Sequence, residues 1–416
     1  MNARNITLYL LMGYFGISTV IQANVLSELY KKALQKSELI SQQSSVLSGS
    51  KARVSEAYSA FFPLINISAQ YNRQPLISGF ASDIFPESQT ILKAQLSQSL
   101  FKGFRDFNAI DQLKWTQIHH EFSLKAAQLD LAKEVVKAFY SLKSEKEDAS
   151  LLKEAISMNK LRLIELKKWR RLGRVKTSSL FELESSIATQ EADQLNAELQ
   201  IALAEKVITF LTDQIPDTLS SEPYPPQIVS FNWQELALKK PEVMSAEFEF
   251  KSAQAGTHIA TGAYLPSIDL IGNYYPIRDV GALKNSPWDA SIIATLPLYL
   301  LGTIDTQITQ AKSLQSQKEQ MLSLTKRKAI EEIENSLLIL KNGFLQCEKL
   351  KVANTYALEN YTAKDKEFKL GLISLSDVLI AQTNWVQTQR LYQKIKNNLC
   401  LNYELLKISA GIPFPE

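Results

Sequence analysis

RLGRVKTSSL at 171–180 and KLGLISLSDV at 369–378 are two versions of the same short stretch of this chain. Gly173 aligns with Gly371 at an offset of 198 residues, and a matching apolar pattern follows each glycine at that same offset. A period this long does not fit a solenoid of small repeats, so it indicates one large module that has been duplicated. Each half of the chain is therefore expected to build the same half-structure.

The duplication extends upstream of these two stretches. AYSAFFPLINISAQY at 57–71 resembles ATGAYLPSIDLIGNY at 260–274. We therefore predict two structural repeats, 24–222 and 223–416, each with helices, two strands and two long helices.

The composition favours long elements. Glycine and proline number 14 each in 416 residues and are confined to a few short stretches, so uninterrupted helices are expected. The net charge is +3, and Lys and Glu alternate along the chain rather than clustering. This balance favours neither nucleic acid nor an acidic partner, and we expect no nucleic acid to bind.

The N-terminus has the pattern of an export signal. Arg4 gives a basic start, 6–20 is apolar, and Ala23 is a small residue after which we place the cleavage site. The segment 1–23 is thus predicted to be a signal peptide; the alternative is an uncleaved anchor. No later apolar run reaches the roughly 20 residues of a helical span, so a membrane-integral form of this chain would need β-strands.

Four segments carry apolar residues at the spacing of coiled coils: 104–170, 177–213, 303–370 and 375–411. Their apolar spacing is that of helices that supercoil with their neighbours. At a rise of about 1.5 Å per residue, the two longest would approach 100 Å, which no compact domain accommodates.

Each pair of long helices is predicted to turn at a glycine. Gly173 and Gly371 are expected to supply the left-handed residue that ends a helix. Ser178 and Ser376 follow near the start of each returning helix, where a hydroxyl can cap free amides.

Four other segments alternate apolar and polar residues, and we predict strands at about 62–76, 88–101, 264–277 and 288–300. In the first of them, Ile65 and Ile67 share one face while Asn66 and Ser68 share the other. Alternation over about ten residues is the pattern of a transmembrane strand. The alternative is a pair of soluble hairpins with one wet face. The connections 76–88 and 278–287 are rich in Gly, Pro, Ser and Asp and are interpreted as surface loops.

Four strands are too few to close a barrel, and an open sheet edge in lipid leaves its amides without partners. If these strands span a membrane, several chains must therefore pool them. Oligomerisation follows from this requirement.

With these features, the chain resembles the TolC-type outer-membrane efflux proteins of Gram-negative bacteria. The resemblance covers the whole mature chain and both repeats. The resemblance rests on a proline that opens the first strand of each half, on a strand end that leads into a long helix, on the glycine hairpin, and on a closing helix that ends in glycine. The residues concerned are Pro63 and Pro266, SLFKG at 99–103 and PLYLLG at 297–302, the two hairpins quoted above, and KISAGI at 407–412.

The resemblance implies a mostly α protein with a small transmembrane β part. Long antiparallel coiled-coil helices would form a periplasmic α-barrel, and four β-strands per chain would contribute to a twelve-stranded trimeric β-barrel. The implied function is a passive exit duct of a tripartite efflux or type I secretion system. Its partners would be two further copies of the chain, a periplasmic adaptor, an inner-membrane transporter and outer-membrane lipid.

The resemblance also places functional residues. The family narrows its entrance with acidic residues on the last long helix, and Asp377 matches the first of them; the second falls at Ile380. Two positions of the family's polar latch fall at Ile373 and Phe368, so a polar latch at these positions is not expected. Asp377 has a simpler interpretation as an acid that favours the first turn of a helix.

The two hairpin tips are the candidate adaptor-docking sites. They contain Gly173, Arg174, Ser178, Gly371 and Ser376. Arg174 is either an adaptor contact or a solvated turn residue.

Catalytic motifs are absent from the sequence, which has no phosphate-binding loop and no cluster of Cys and His. Adjacent His119 and His120 diverge on a helix and make a poor chelate, and His258 stands alone. We therefore expect no enzyme activity, cofactor or metal. Cys347 and Cys400 fall at equal distances from the second hairpin, so either a disulfide or two buried thiols would fit.

The competing functional class is an exported coiled-coil scaffold or adhesin without a pore, and the four alternating strands favour the channel. The sequence leaves the cargo open among drugs, metal ions, siderophores and polypeptides.

Overall fold

The computed structural model describes residues 25–75, 87–173, 175–216, 219, 232–278, 286–298 and 302–411. The predicted signal peptide, Arg174 and most of the two predicted strand connections lie outside these described residues. None of the described helices contains an apolar stretch long enough to cross a membrane.

The order of helix, strand, strand, very long helix and shorter long helix occurs twice along the chain. The first set is α1 (25–36), α2 (Glu38–Ser59), β1 (Leu64–Arg73), β2 (Ser88–Lys102), α3 (Arg105–Arg171) and α4 (Thr177–Thr212). The second set is α5 (Trp233–Leu238), α6 (Pro241–Thr261), a 3₁₀ turn (Gly262–Tyr264), β3 (Ser267–Arg278), β4 (Trp288–Thr295), α7 (Thr303–Lys369) and α8 (Leu375–Ser409).

The predicted mostly α fold with four strands is confirmed. Helices α3 and α7 are each 67 residues long and begin and end within one residue of the predicted bounds. Strand β4 is the main difference, because it ends at Thr295 rather than at about residue 300. Pro297 lacks the amide that a ladder requires, so Leu296 and Leu298 lie beyond the strand.

The four strands form one antiparallel sheet in the order β1-β2-β3-β4. The β2–β3 pairing shifts register twice, between Leu92 and Ala94 and between Ser99 and Phe101. Within this chain, β1 and β4 are the two edges of the sheet. Each edge carries a row of backbone groups that only another strand would pair.

The described residues divide into two compact units, and each unit draws on both halves of the chain. The first comprises parts of Met1–Ser41, Lys125–Lys240 and Arg327–Glu416, and the second parts of Gln42–Leu124 and Pro241–Lys326. The units therefore do not follow the predicted repeat boundary at 222. The first contains both hairpins, and the second contains the sheet.

The core of the first unit is built from the predicted apolar stripes of the long helices. Near the hairpins, side chains of α3, α4 and α8 form one buried cluster: Leu166, Leu180, Leu183, Ile187 and Leu375. Farther from the turn, Ala138 and Leu142 of α3 pack against Ala204 and Ile208 of α4. This stripe therefore fixes α4 along α3.

Candidate functional site

One face of the sheet is apolar across all four strands. Ile67, Ala94, Tyr274 and Trp288 lie directly opposite one another in successive strands. Paired residues in an antiparallel sheet project to the same side, so they form one continuous row. Ile67 is 78% exposed and Trp288 is 67% exposed. This chain alone therefore leaves a large apolar face uncovered.

The opposite face of the sheet is mainly polar, although Ile91, Ile271 and Ile293 also lie on it. Asn66, Gln95, Asn273 and Asp289 form a row across the same four strands. Within it, the Asn273 amide donates a 2.7 Å hydrogen bond to Asp289 Oδ1. A sheet with one apolar and one polar face fits a boundary between lipid and water.

Four phenylalanines, three of them exposed, cluster where the first two strands meet their helices. The ring of Phe107 lies 5.0 Å from that of Phe61 and 6.4 Å from that of Phe104, and Phe104 packs edge-on against Phe101 at 5.2 Å. This cluster was not predicted from the sequence. The sequence pattern that indicates the cluster is a phenylalanine at every third position, 101, 104 and 107, together with the Phe61–Phe62 pair before a strand.

Phe104 has an unusual backbone. Its φ is +62° and follows Gly103 at +63°, so two successive left-handed residues turn the chain from β2 into α3. A Cβ on Gly103 would lie 2.4 Å from the carbonyl oxygen of Gly262, so only glycine fits there. A positive φ is costly for a bulky residue, so the surrounding packing must hold Phe104 in place.

Both hairpins turn at a left-handed glycine, as predicted. Gly371 has φ of +79°, and its amide donates to the Phe368 carbonyl at 2.9 Å. The Leu372 amide donates to the Glu367 carbonyl at 3.0 Å, which completes the two-bond Schellman pattern. Gly173 has φ of +72°, and its amide donates to the Arg170 carbonyl at 2.9 Å.

The prediction that Ser178 and Ser376 cap the returning helices is wrong. Helix α8 begins at Leu375, and its capping residue is Ser374, whose hydroxyl accepts from the Asp377 amide at 3.3 Å. In α4 the equivalent position is Lys176, which makes no side-chain capping bond. Ser178 and Ser376 each lie one residue inside the helix, too far along to occupy the capping position.

Asp377 completes a capping box with Ser374. Its Oδ2 atom accepts from the Ser374 amide at 3.2 Å and from the Ser374 hydroxyl at 2.5 Å. These hydrogen bonds lower the pKa of Asp377, and its carboxylate is therefore ionised at neutral pH. Ile380, one turn farther on, is 66% exposed and lines an open groove between α4 and α8 together with Glu182, Ser376 and Thr383. The pore role of Asp377 and Ile380 stays a prediction.

A polar cluster joins the two hairpins near their turns, although the two latch positions identified by resemblance are apolar. Arg162 of α3 donates to Asp365 Oδ1 at 2.6 Å, to the Tyr361 hydroxyl at 3.0 Å and to Gln382 Oε1 at 2.9 Å. We call these four residues the inter-hairpin cluster. Phe368, at a latch position, instead packs against Trp169 with ring centroids 5.9 Å apart.

A second polar cluster surrounds Glu332 of α7. Its carboxylate accepts from buried Lys240 at 2.5 Å, from Ser409 at 2.8 Å and from Lys133 at 3.2 Å. Burial alone would raise the pKa of Glu332, but Lys240, then Lys133 and Ser409, outweigh it and lower the pKa to about 2. The ionised carboxylate is thus favoured in the folded state.

Glu332→Gln should lower the free energy of unfolding at neutral pH by about 2 kcal/mol. This loss is smaller than that for breaking a fully buried ion pair, because Glu332 is partly hydrated. Because the folded-state pKa is depressed, the wild-type advantage is complete above about pH 4.5 and is lost as pH falls towards 2. The midpoint of thermal unfolding, measured from pH 7 downwards, tests this. Exposed Glu334→Gln is the matched control. A wild-type advantage that does not change with pH would contradict the assignment.

Cys347 and Cys400 are both buried and do not form a disulfide. Burial raises the pKa of the Cys400 thiol to about 12. The thiolate is the form that reacts in disulfide exchange, so burial that favours the protonated thiol lowers the reactivity of Cys400. Of the two alternatives, the structure therefore contains the buried thiols.

The His119 side chain contacts helix α6 in the second unit. His119 Nδ1 lies 2.9 Å from the Ser245 hydroxyl and 3.0 Å from the Ser245 carbonyl oxygen. Burial lowers the pKa of His120. Among the described residues, no three His, Cys, Asp or Glu side chains are grouped as metal ligands.

Comparison with known proteins gives one family and a consistent fold. The family model described as "Outer membrane efflux protein" matches residues 29–212 and 232–411. Nodulation protein T of Rhizobium leguminosarum bv. trifolii is 25% identical over 181 residues, which cover 42% of this chain. The match spans 39% of that relative's length.

Solved structures resemble this chain along nearly its whole length. Crystal structures of CusC match with a TM-score of 0.85 and 14% identity over 93% of this chain and 92% of that chain. The outer membrane protein VceC of Vibrio cholerae matches with a TM-score of 0.81 and 18% identity over 94% and 97% of the two chains. The CmeC outer membrane channel of Campylobacter jejuni matches with a TM-score of 0.82 and 18% identity over 94% and 86%. These likenesses establish the fold.

Proposed function

The chain belongs to the outer membrane efflux protein family, and on that premise we propose that it is the passive exit duct of a tripartite export system. Three copies would form one channel in the outer membrane, with their long helices in the periplasm. An adaptor and an inner-membrane transporter would complete the path and supply the energy.

The observation that carries this proposal is the two-faced sheet with two unpaired edges. Its apolar face is exposed, and its polar face carries Asn66, Gln95, Asn273 and Asp289. In hydrocarbon, unpaired strand edges are not tolerated. Pairing β4 of one chain with β1 of the next would remove every edge and give twelve strands from three chains. Lipid would cover the apolar face, and water would contact the polar one.

The hairpin turns are the proposed docking sites for the adaptor. Gly173, Ser178, Gly371 and Ser376 are exposed, and Arg174 follows Gly173 in the sequence. Both tips also expose leucines at 69–75%, namely Leu172, Leu370 and Leu372. Exposed apolar side chains beside a rigid turn can anchor a partner.

Membrane extraction and conductance test the function directly. The protein should fractionate with the outer membrane, migrate on gels in a heat-modifiable form and open ion-conducting pores in planar bilayers. A coiled-coil scaffold or adhesin without a pore should show neither heat-modifiable migration nor conductance. Absence of conductance from folded, outer-membrane-extracted protein would contradict the proposal.

Asp377 would form a ring of three carboxylates at the narrowest part of the tunnel, followed by a collar of Ile380. Carboxylates that converge in a constriction focus the field and attract cations. Asp377→Asn should therefore remove most of the cation selectivity and the block by a trivalent cation added on the periplasmic side. The assay is planar-bilayer conductance, with exposed Glu154→Gln on α3 as the control. Equal selectivity and block in wild type and Asp377→Asn would leave Asp377 only its capping role.

A further inference from the structure

The polar face of the sheet carries more basic than acidic side chains. Within the described strands, three basic and two acidic residues share this face with Asn66 and Gln95, namely Lys93, Lys102, Arg278, Asp269 and Asp289. Opposite residues in paired strands project to the same side, which assigns each of the five to the face. For Lys102 the register shift between Ser99 and Phe101 is decisive, because without it this lysine would lie on the apolar face.

Two of the five charged groups neutralise each other. Arg278 Nη1 lies 3.7 Å from Asp289 Oδ2 and donates to the Ser286 carbonyl at 3.3 Å. The guanidinium carbon lies 4.1 Å from the centre of the Tyr275 ring, and the arginine side chain is only 15% exposed. Arg278 is therefore held within the chain, and together with Asp289 it adds little net charge to this face.

The two lysines keep their charge. In the part of the chain that the structure describes, neither Lys93 nor Lys102 forms an ion pair, and Lys93 acts on Asp289 only at longer range. Asp269 is the remaining acid on this face of the described strands, so the two lysines outnumber it. Each chain therefore contributes a positive balance to the polar face, and three chains around one lumen would multiply that balance.

Two isoleucines lie at levels between the two lysines. Ile271 is opposite Ser97 and Ile293 is opposite Asp269, so the isoleucines are diagonal neighbours on adjacent strands of the polar face. The Ile293 residue is 45% exposed. Along β2 the two lysines are about 30 Å apart at the rise of an extended strand. A solute that moves along this face would meet a cationic group, an apolar patch and a second cationic group.

We infer that the barrel lumen of the proposed duct favours organic anions with an apolar part over cations. The inference rests on the proposed function, because the polar face encloses the path of the cargo only in a closed barrel. Charges that line an enclosed aqueous path raise the local concentration of counter-ions, since low-dielectric walls focus their field. The lysines would attract the charge of the solute, and the isoleucines would cover its apolar part. Among the cargo classes that the sequence leaves open, this favours organic anions over metal cations.

This preference has the opposite sign to that of the proposed Asp377 ring. Asp377 belongs to the first unit, whereas Lys93 and Lys102 belong to the second, so each set of charges can be neutralised without altering the other. The ring would act on small ions at the narrowest part of the tunnel, and the lysines would act on any solute that has entered the barrel. The ladder of the sheet fixes the lysines independently of the entrance.

Ion selectivity in planar bilayers tests the lysines. The Asp377→Asn channel is the background, so that a ring at the entrance does not mask the barrel. Lys93→Gln combined with Lys102→Gln should raise the K⁺/Cl⁻ permeability ratio at least about twofold at low salt, where screening is weak. The matched control, Lys93→Arg with Lys102→Arg, keeps both charges and should leave the ratio unchanged. Asp269→Asn removes a negative charge from the same face and should lower the ratio.

Permeation of two organic anions tests the isoleucines. Naphthalene sulfonate has an apolar ring system, and gluconate has the same charge without one. The permeability ratio of naphthalene sulfonate to gluconate, both as sodium salts, should fall at least about twofold in Ile271→Asn combined with Ile293→Asn, because apolar contact is lost. An unchanged ratio would overturn the role of the isoleucines.

The outcomes separate the anion preference from the function. If folded protein from outer membranes does not conduct, the duct and the anion preference fail together. If it conducts but the glutamine pair and the arginine pair have the same K⁺/Cl⁻ ratio, the duct stands and the anion preference is overturned. If the glutamine pair prevents barrel formation, seen as loss of heat-modifiable migration, Asp269→Asn decides alone, and an unchanged ratio in that variant overturns the inference.

Discussion

Gly371→Val is expected to abolish export while the trimer still assembles in the outer membrane. Gly371 has φ of +79°, which a β-branched residue adopts only with strain. No atom lies within 4 Å of a Cβ built at this position, so the whole effect acts through the backbone. The Schellman turn would rearrange and move the exposed leucines beside it. Export should fall at least about tenfold, since docking depends on the geometry of the turn.

The controls separate turn geometry from side-chain volume. Gly371→Asn keeps a residue that tolerates a positive φ, so it should retain most of the export. Gly173→Val tests the first hairpin, whose glycine is also free of neighbours within 4 Å. Drug or dye accumulation in cells, with trimer yield measured in parallel, gives the readout. Normal export by Gly371→Val would refute the docking role of this tip.

Arg162→Ala should separate the two hairpins of each chain. Arg162 and Asp365 are only 12% and 18% exposed, so their ion pair is largely desolvated. Asp365 keeps Lys369 at 2.8 Å, but Gln382 Oε1 and the Tyr361 hydroxyl lose the donor that joins them to α3. We expect a loss of about 3 kcal/mol, at the low end for a broken buried pair. A pore with a loosened entrance should also conduct more.

Arg162→Lys distinguishes charge from geometry. Lysine can keep the ion pair with Asp365 but cannot reproduce the planar fork that also reaches Tyr361 and Gln382. The dissociation temperature and bilayer conductance of the Arg162→Lys trimer should fall between those of wild type and Arg162→Ala. If Arg162→Ala matches wild type in both measurements, the inter-hairpin cluster contributes neither stability nor closure.

The long elements could be predicted because their signals are periodic. Apolar spacing placed the ends of α3 and α7 within one residue, and alternation placed the strands. The predicted β4 was too long, because the apolar alternation continues through Leu296 and Leu298. The strand ends earlier because Pro297 has no amide for the ladder. At this strand end, the position of the proline predicts the boundary better than the apolar alternation does.

The helix starts show the limit of arguing from the repeat. Ser178 and Ser376 align between the two halves, so they suggested a shared capping role. The positions that actually begin the helices also align, but they hold Lys176 in one half and Ser374 in the other. The two halves share the backbone turn but differ in the side chain at the capping position. Serines that align between the halves therefore do not identify the residue that caps each helix.

The inter-hairpin cluster could not be read from the sequence. Arg162 contacts residues 199, 203 and 220 positions away, on two other helices. No local pattern encodes such a meeting; only the register between α3 and α7 does. Apolar periodicity therefore predicts the helices and strands, whereas the inter-hairpin cluster depends on contacts between residues distant in sequence.

In the proposed trimer, each chain supplies four strands to one membrane barrel that three copies close. The most direct test is the native mass of the protein extracted from outer membranes in mild detergent, with strand content followed by circular dichroism. We expect a complex of three chains whose strands persist until the complex dissociates. A single chain that retains its strands in the extracted state would contradict it.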